Sequence, residues 1–171
     1  MIFISGVHGV GKSYFCNMVK DATGIESYSA SKLISQKKHS GFSTDKLIPD
    51  IDDNQDYLLQ AVNDLEATGH NFILDGHFCL LNASGIITRI PLDTFIALRP
   101  EAIILLTERP EIIAARRKER DRIDASIQNI EDFQHEECTY AKEVAAAIGA
   151  NLYISDGAAD LGNTIEYIKT L

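Results

Sequence analysis

The stretch MIFISGVHGVGKS, Met1 to Ser13, decides how this chain is read. Ile2, Phe3 and Ile4 form an apolar run of strand length. Gly6-Val7-His8-Gly9-Val10-Gly11-Lys12-Ser13 then follows the pattern of glycine, four residues, glycine, lysine and serine or threonine. Each element of that pattern has a physical task. Glycines allow the backbone to turn with positive φ, so that successive N–H groups point into one concavity and cradle an anion. Lys12 can reach the β- and γ-phosphates of a nucleotide, and the Ser13 hydroxyl can hold Mg²⁺. His8 is expected to contribute mainly backbone. Beyond the loop, Phe15, Met18, Val19 and Ala22 fall on one face of a helix. That helix aims the positive end of its dipole at the same phosphates. Strand, glycine loop and helix together make residues 6–13 the candidate phosphate-binding segment.

The rest of the chain repeats the strand–helix alternation. Gly24 stops the first helix, and residues 25–29 offer a brief second strand. Ala30, Leu33 and Ile34 mark a short helix, followed by a polar segment over 37–53. Leu58, Ala61, Val62 and Leu65 share one face of the next helix. Phe72-Ile73-Leu74 is a buried strand ending at Asp75, and a loop is predicted over 76–90. A helix opens near Pro91 and stops before Pro100. Residues 102–107 (AIILLT) are the strongest strand, and Pro110 suits the first position of the helix after it. Ser126 can cap a long helix ending at Gly149, with Ala141, Val144, Ala145 and Ile148 inward. Residues 151–154 read as a fifth strand, and Leu161, Ile165 and Ile168 mark a closing helix.

The expected fold is therefore α/β: a doubly wound, mostly parallel five-stranded sheet with helices on both faces, in one domain over 1–171. Ligands of such sheets bind beyond the carboxyl ends of the strands. Chemistry is thus expected after Ser5, Asp75, Thr107 and Ser155.

Composition narrows the function. With 25 acidic against 16 basic residues and a net charge of −9, the surface repels nucleic acid outside any local basic patch. The three cysteines, Cys16, Cys79 and Cys138, are odd in number and widely spaced, which argues against a disulfide framework or a metal site. No apolar run approaches membrane-spanning length, and the strand at residue 2 leaves no room for a signal peptide. A cytoplasmic location is expected, and oligomeric state is not legible.

Asp75, at a strand end beside the loop, can hold Mg²⁺ directly or through water. The hydrolytic ATPases that carry a strand-end Asp-Glu pair use the glutamate to orient water, whereas Gly76 follows here. That favours transfer to an acceptor over hydrolysis. Five of the seven residues over 116–122 are basic, in an otherwise acidic chain. Arg116 and Arg120 share a helix face, and Arg122 falls where the helix gives way to a loop. Guanidinium groups there could stabilise a transferring phosphoryl group, or they could belong to a solvated helix laced with ion pairs. Asp50, Asp52 and Asp53 could hold a metal, although a helix cap is the simpler reading. Asn54 and Gln55, at the start of that helix, and His77 are candidate acceptor contacts.

These motifs resemble the nucleoside monophosphate kinase group, and archaeal-type adenylate kinases in particular. GVHGVGKS is similar to the opening loop of that group, LDGH (74–77) to its third-strand signature, and PEIIAARRKERDR with IEDFQ to its arginine-bearing lid and following helix. The resemblance implies ATP and Mg²⁺ as cofactors and a small, nucleotide-like phosphate acceptor. It implies Arg116 near the adenine or phosphates, Arg120 and Arg122 on a short lid over about 116–126, and Asp156 beside the base. An acceptor-binding segment would cover about 29–55, with Ser31 near its start; that region matches loosely, so the acceptor could be a nucleotide, a nucleoside, another hydroxyl metabolite or a macromolecular end. A nucleotide switch or ATPase working with a macromolecular partner is the competing class. The guanine-reading Asn-Lys-x-Asp motif is absent.

Overall fold

The computed structural model describes residues 1–38, 47–48, 51–122 and 124–171, with the side chains of 47–48 and 51–53 left aside. In chain order the elements are β1 (Ile2–Ser5), α1 (Lys12–Thr23), β2 (Glu26–Ser29), α2 (Ala30–Lys38), β3 (Leu47–Ile48), α3 (Ile51–Glu66), β4 (Phe72–Asp75), β5 (Cys79–Asn82), β6 (Ile87–Arg89), α4 (Leu92–Leu98), β7 (Ala102–Thr107), α5 (Pro110–Asp121), α6 (Ile127–Ile148), β8 (Asn151–Asp156) and α7 (Leu161–Ile168).

The main sheet has five strands in the order β2-β4-β1-β7-β8, all parallel. The expected α/β class and strand count are both found. All of β1 and the first five residues of β7 are buried, so both faces of the central strands are covered by helices. From β1 the chain first builds one half of the sheet (β2, β4) and then crosses to the other side of β1 (β7, β8). The topological switch point therefore lies at the end of β1, where the glycine loop begins.

Register decides what meets there. Ile4 pairs with Asp75, Ser29 pairs with Asp75, and Ser5 pairs with Leu105. The amide of Gly76 donates to the Ile4 carbonyl at 2.9 Å, which holds the end of β4 against β1. Asp75 thus arrives beside the loop through backbone pairing rather than through a flexible linker.

Several boundaries differ from expectation. The stretch 76–90 is not a plain loop. β5 and β6 form an antiparallel hairpin in a second, three-stranded sheet with β3. The Asn82 side chain closes its turn by accepting from the amides of Ser84 (2.9 Å) and Ile86 (3.0 Å). Strands of three and four residues are too short to show periodicity, so the hairpin leaves no pattern beyond that turn. α2 continues to Lys38 and β8 to Asp156, both past their expected ends. Asp50 lies outside the described residues, as do the side chains of Asp52 and Asp53.

Ser126 caps α6 as expected, its hydroxyl accepting from the Asn129 amide. The inner face of α6 is Ile130, Phe133, Glu137, Tyr140, Ala141, Val144 and Ala145. One acidic residue thus sits in an otherwise apolar and aromatic stripe. Cys16 and Cys79 are buried and all three cysteines are free; burial pushes the Cys16 thiol up to about 12. Among the described residues no helix is long and apolar enough to cross a membrane.

Candidate active site

The glycine loop turns as its sequence requires. Gly6, Gly9 and Gly11 have φ of 141°, 90° and 114°, values that L side chains rarely adopt. At Gly6 space is short as well, because a Cβ would lie 2.6 Å from the Leu106 carbonyl oxygen. Gly6→Ala is therefore expected to cost about 1–3 kcal/mol in stability, read by denaturant unfolding, and to weaken nucleotide binding. Wild-type unfolding and affinity in this variant would contradict the geometry.

Lys12 opens α1 and is buried beneath the loop. Its Nζ donates to the Gly6 carbonyl at 2.5 Å and lies 3.3 Å from His77 Nε2 and 3.9 Å from Asp75 Oδ1. Burial lowers the Lys12 pKa and raises that of Asp75, and each group's field opposes the other's shift. The pair holds a partly desolvated charge ready for an anion. The His8 ring lies against His77, with centroids 4.3 Å apart.

Below this group sits Glu137, 1% exposed, which sequence reasoning missed. Its carboxylate accepts from the Ser5 hydroxyl and from the amides of Phe78 (2.9 Å) and Cys79 (2.7 Å), and lies 3.8 Å from His77 Nδ1. Burial is the main influence and raises its pKa; the three donors and Lys12 pull the other way. Glu137 ties α6 to the end of β1 and to the chain leaving β4, the two segments that carry the loop and His77. The signal was present: Glu137 falls four residues after Phe133 and four before Ala141, on the apolar face of α6.

On the other side of the loop, Arg116 donates to the Val10 carbonyl (2.8 Å) and to Glu108 (3.2 Å). Glu108 is positioned in turn by Gln134, which exchanges two hydrogen bonds with its backbone. The aliphatic stem of Arg117 packs close to Gly9. Arg120 is exposed at the edge of the same site, and its guanidinium pairs with Asp121 at 2.6 and 2.7 Å.

One cavity of about 920 Å³ gathers most of these groups. Val7 to Ser13, Asp75, His77, Arg116 and Arg120 line it, as do Ser31, Asn54 and Gln55. Gly6 turns the loop behind that wall. Two expected residues are not brought to the wall. Arg122 caps α5 in a left-handed conformation (φ 59°) with its side chain exposed. Asp156 accepts from Thr107, and its neighbours Gly157 and Ala158 line the cavity instead. Arg122 lies one residue beyond α5, where a left-handed turn redirects the chain, and Asp156 is the last residue of β8, held on Thr107. Residue 123, within the expected lid, lies outside the described residues, as do 39–46 and 49–50 of the expected acceptor segment.

The donor set suits Mg²⁺. Ser13 and Asp75 supply hard oxygen ligands, and both also line a smaller cleft of about 380 Å³ next to the main cavity, which leaves room for water ligands.

Residues 5–134 match a protein family described as AAA domain, which covers well over half of the chain. The chain belongs to this family. No curated protein matches the sequence significantly. Among solved structures, a shikimate kinase from Bacteroides thetaiotaomicron superposes with a TM-score of 0.62 at 11% identity, covering 99% of this chain and 95% of that one. A shikimate kinase from Acinetobacter baumannii in complex with shikimate gives 0.56 at 15% identity, with 99% and 90% covered. A gluconokinase from Sinorhizobium meliloti 1021 gives 0.54 at 16%, with 99% and 95% covered. At these identities the likeness is one of fold: this AAA domain chain has the α/β architecture of P-loop kinases over its whole length.

Within that architecture, Gly76 acquires a structural reason. A Cβ at this position would lie 2.8 Å from the Phe3 ring, so the glutamate that follows the strand-end aspartate in hydrolytic ATPases could not be placed without moving Phe3.

Proposed function

We propose that the chain is an ATP-dependent phosphotransferase that moves the γ-phosphate to a hydroxyl group of a small molecule. The observation that carries this reading is the shared cavity. Its loop end offers backbone amides, Lys12, Arg116 and Arg120, and its other end offers Ser31, Asn54, Gln55 and His77. A site for hydrolysis alone needs no second end.

In the reaction, the γ-phosphoryl group leaves the β-phosphate oxygen of ATP and bonds to the acceptor oxygen, whose proton passes to solvent as ADP is released. The loop amides and Lys12 hold the β- and γ-phosphates, and Lys12 exchanges its Gly6 contact for phosphate oxygens. Arg116 and Arg120 neutralise charge on the transferring group. For Arg120 this requires release from Asp121, a lid-like movement. Ser13 and Asp75 would hold Mg²⁺, which neutralises phosphate charge when bound. His77 lies 3.3 Å from Lys12 Nζ and 3.8 Å from Glu137, and in this reading it hydrogen-bonds the acceptor hydroxyl. The acceleration comes from positioning and electrostatics, with no covalent intermediate.

The resemblance to adenylate kinases suggests a nucleotide-like acceptor. The fold likeness to kinases of shikimate and gluconate supports a non-nucleotide hydroxyl compound equally well. A hydrolytic ATPase of the Asp-Glu type is disfavoured, because Gly76 and not a glutamate follows Asp75. A screen of nucleosides, nucleoside monophosphates, sugars and hydroxy acids with ATP and Mg²⁺ tests the reading through ADP formation. At least one acceptor should raise turnover more than about 10-fold over acceptor-free hydrolysis, within the usual contribution of a positioned acceptor. Hydrolysis that no small molecule alters, but that a protein partner stimulates, would contradict it.

A further inference from the structure

We infer that Arg117 is a positioning residue for the triphosphate, drawing it into the glycine loop by a charge held behind the loop rather than inside it. The inference rests on the reading that the loop holds the phosphates of ATP, and it concerns a side chain outside the cavity lining. Three observations meet at this residue. The first is its place. A Cβ at Gly9 would lie 2.8 Å from Arg117 Cγ, 3.2 Å from Ile113 Cγ2 and 3.3 Å from Arg117 Cδ. Ile113 and Arg117, four apart on α5, thus form the wall against which the loop backbone rests. Nε, bonded to Cδ, sits directly behind the loop.

The second is that Arg117 stands apart from its neighbours. The other three cations of α5 each pair with a carboxylate: Arg116 with Glu108, Lys118 with Asp124 and Arg120 with Asp121. The Arg117 side chain makes no hydrogen bond or ion pair among the described residues, and its Nε is buried. Asp121, whose field reaches it, gives both carboxylate oxygens to Arg120. The third is desolvation. Burial lowers the Arg117 pKa against the opposing pull of Asp121, yet a guanidinium stays charged.

A half-buried charge without a paired carboxylate is unfavourable in the nucleotide-free protein. Packing of the stem against Gly9 does not explain it, because an unbranched apolar side chain would pack there as well. An anion on the inner face of the loop reverses the balance. Only the loop backbone separates it from Arg117, and water between them is too scarce to screen the attraction fully. Triphosphate is such an anion. Arg117 thus destabilises the free protein and strengthens its nucleotide complex, a trade found where a residue serves function rather than folding.

The test sets Arg117→Met against Arg117→Lys. Methionine keeps the stem as far as the Nε position and removes the charge, whereas lysine keeps both stem and charge. Binding of a non-hydrolysable ATP analogue with Mg²⁺ is measured calorimetrically on the full chain, and thermal unfolding is followed without nucleotide. Arg117→Met should weaken the analogue about 5-fold or more, the size expected of one partly screened charge, while its Tm holds or rises. Arg117→Lys should bind within about 3-fold of wild type. A merely structural arginine would lose stability and affinity together in the Met variant, and a fall in Tm would overturn the inference. So would wild-type affinity in Arg117→Met, or affinity in Arg117→Lys as weak as in Arg117→Met. ADP formation by the wild-type chain decides the phosphotransferase reading separately. The expected binding pattern without transfer to any acceptor would uphold the role of Arg117 and overturn that reading. Acceptor-dependent transfer, with Arg117→Met binding as wild type does, would do the reverse.

Discussion

Lys12→Ala should lower phosphoryl transfer by at least about 10²–10³-fold, the range for removing one preorganised donor from a developing charge. The ammonium sits 2.5 Å from the Gly6 carbonyl and 3.9 Å from Asp75, inside the curve that the phosphates would occupy. It is the most deeply buried of the cations lining the cavity. The loss should fall mainly on kcat, because the loop amides retain part of ground-state binding. The variant should still melt cooperatively, since the residue contributes charge at a cavity wall rather than apolar packing. Steady-state kinetics with the acceptor found by screening, alongside circular dichroism, would check both statements. Transfer at the wild-type rate would remove Lys12 from the mechanism.

The second large effect concerns stability. Glu137→Ala should destabilise the fold by about 3–5 kcal/mol, because two buried amides and a buried hydroxyl lose their acceptor together. For a chain of this size that corresponds to a fall in Tm of roughly 10 °C. Activity should drop further than the unfolded fraction explains, since Ser5 and Phe78 adjoin the loop and His77. Glu137→Gln keeps the shape and one acceptor oxygen, so it should cost less.

Both Glu137 variants should also differ from wild type in pH dependence. Burial raises the pKa of Glu137 above its usual 4.5 and that of Asp75 above 3.8. The folded protein therefore holds these protons more tightly than the unfolded chain does. Stability is fully present below the usual values and declines as pH rises through the folded ones. Glu137→Gln should remove the Glu137 part of that decline and leave the part due to Asp75. Urea midpoints measured from pH 4 to 8 would show it, and a slope identical to wild type would contradict the assignment.

The features legible in the sequence were those set by short-range pattern. The glycine loop carries its own geometry. Ile2–Ser5, Phe72–Asp75 and Ala102–Thr107 are continuous apolar runs, and a parallel sheet places their carboxyl ends together. Asp75 followed from that rule alone. What stayed hidden depends on contacts between distant segments. Glu137 meets Ser5 across 132 positions, and its role appears only once α6 lies over the strand ends. The end of the cavity proposed for the acceptor combines α2, α3 and α4, so Asn54 and Gln55 could be suspected from their position while Thr94 could not. Arg116 and Arg120 were readable as a helix face, whereas Arg122 lies one residue beyond α5, where a left-handed turn redirects the chain.

A crystal structure with Mg²⁺ and a non-hydrolysable ATP analogue tests the central claim most directly. The β-phosphate should lie within the amides of residues 9–13, with Lys12 Nζ on the β- and γ-phosphates. Mg²⁺ should sit about 2.1 Å from Ser13 Oγ, with Asp75 bound to it directly or through one water. The γ-phosphate should point toward His77 and the Asn54–Gln55 end. A nucleotide bound elsewhere, or a γ-phosphate directed away from that end, would contradict the account.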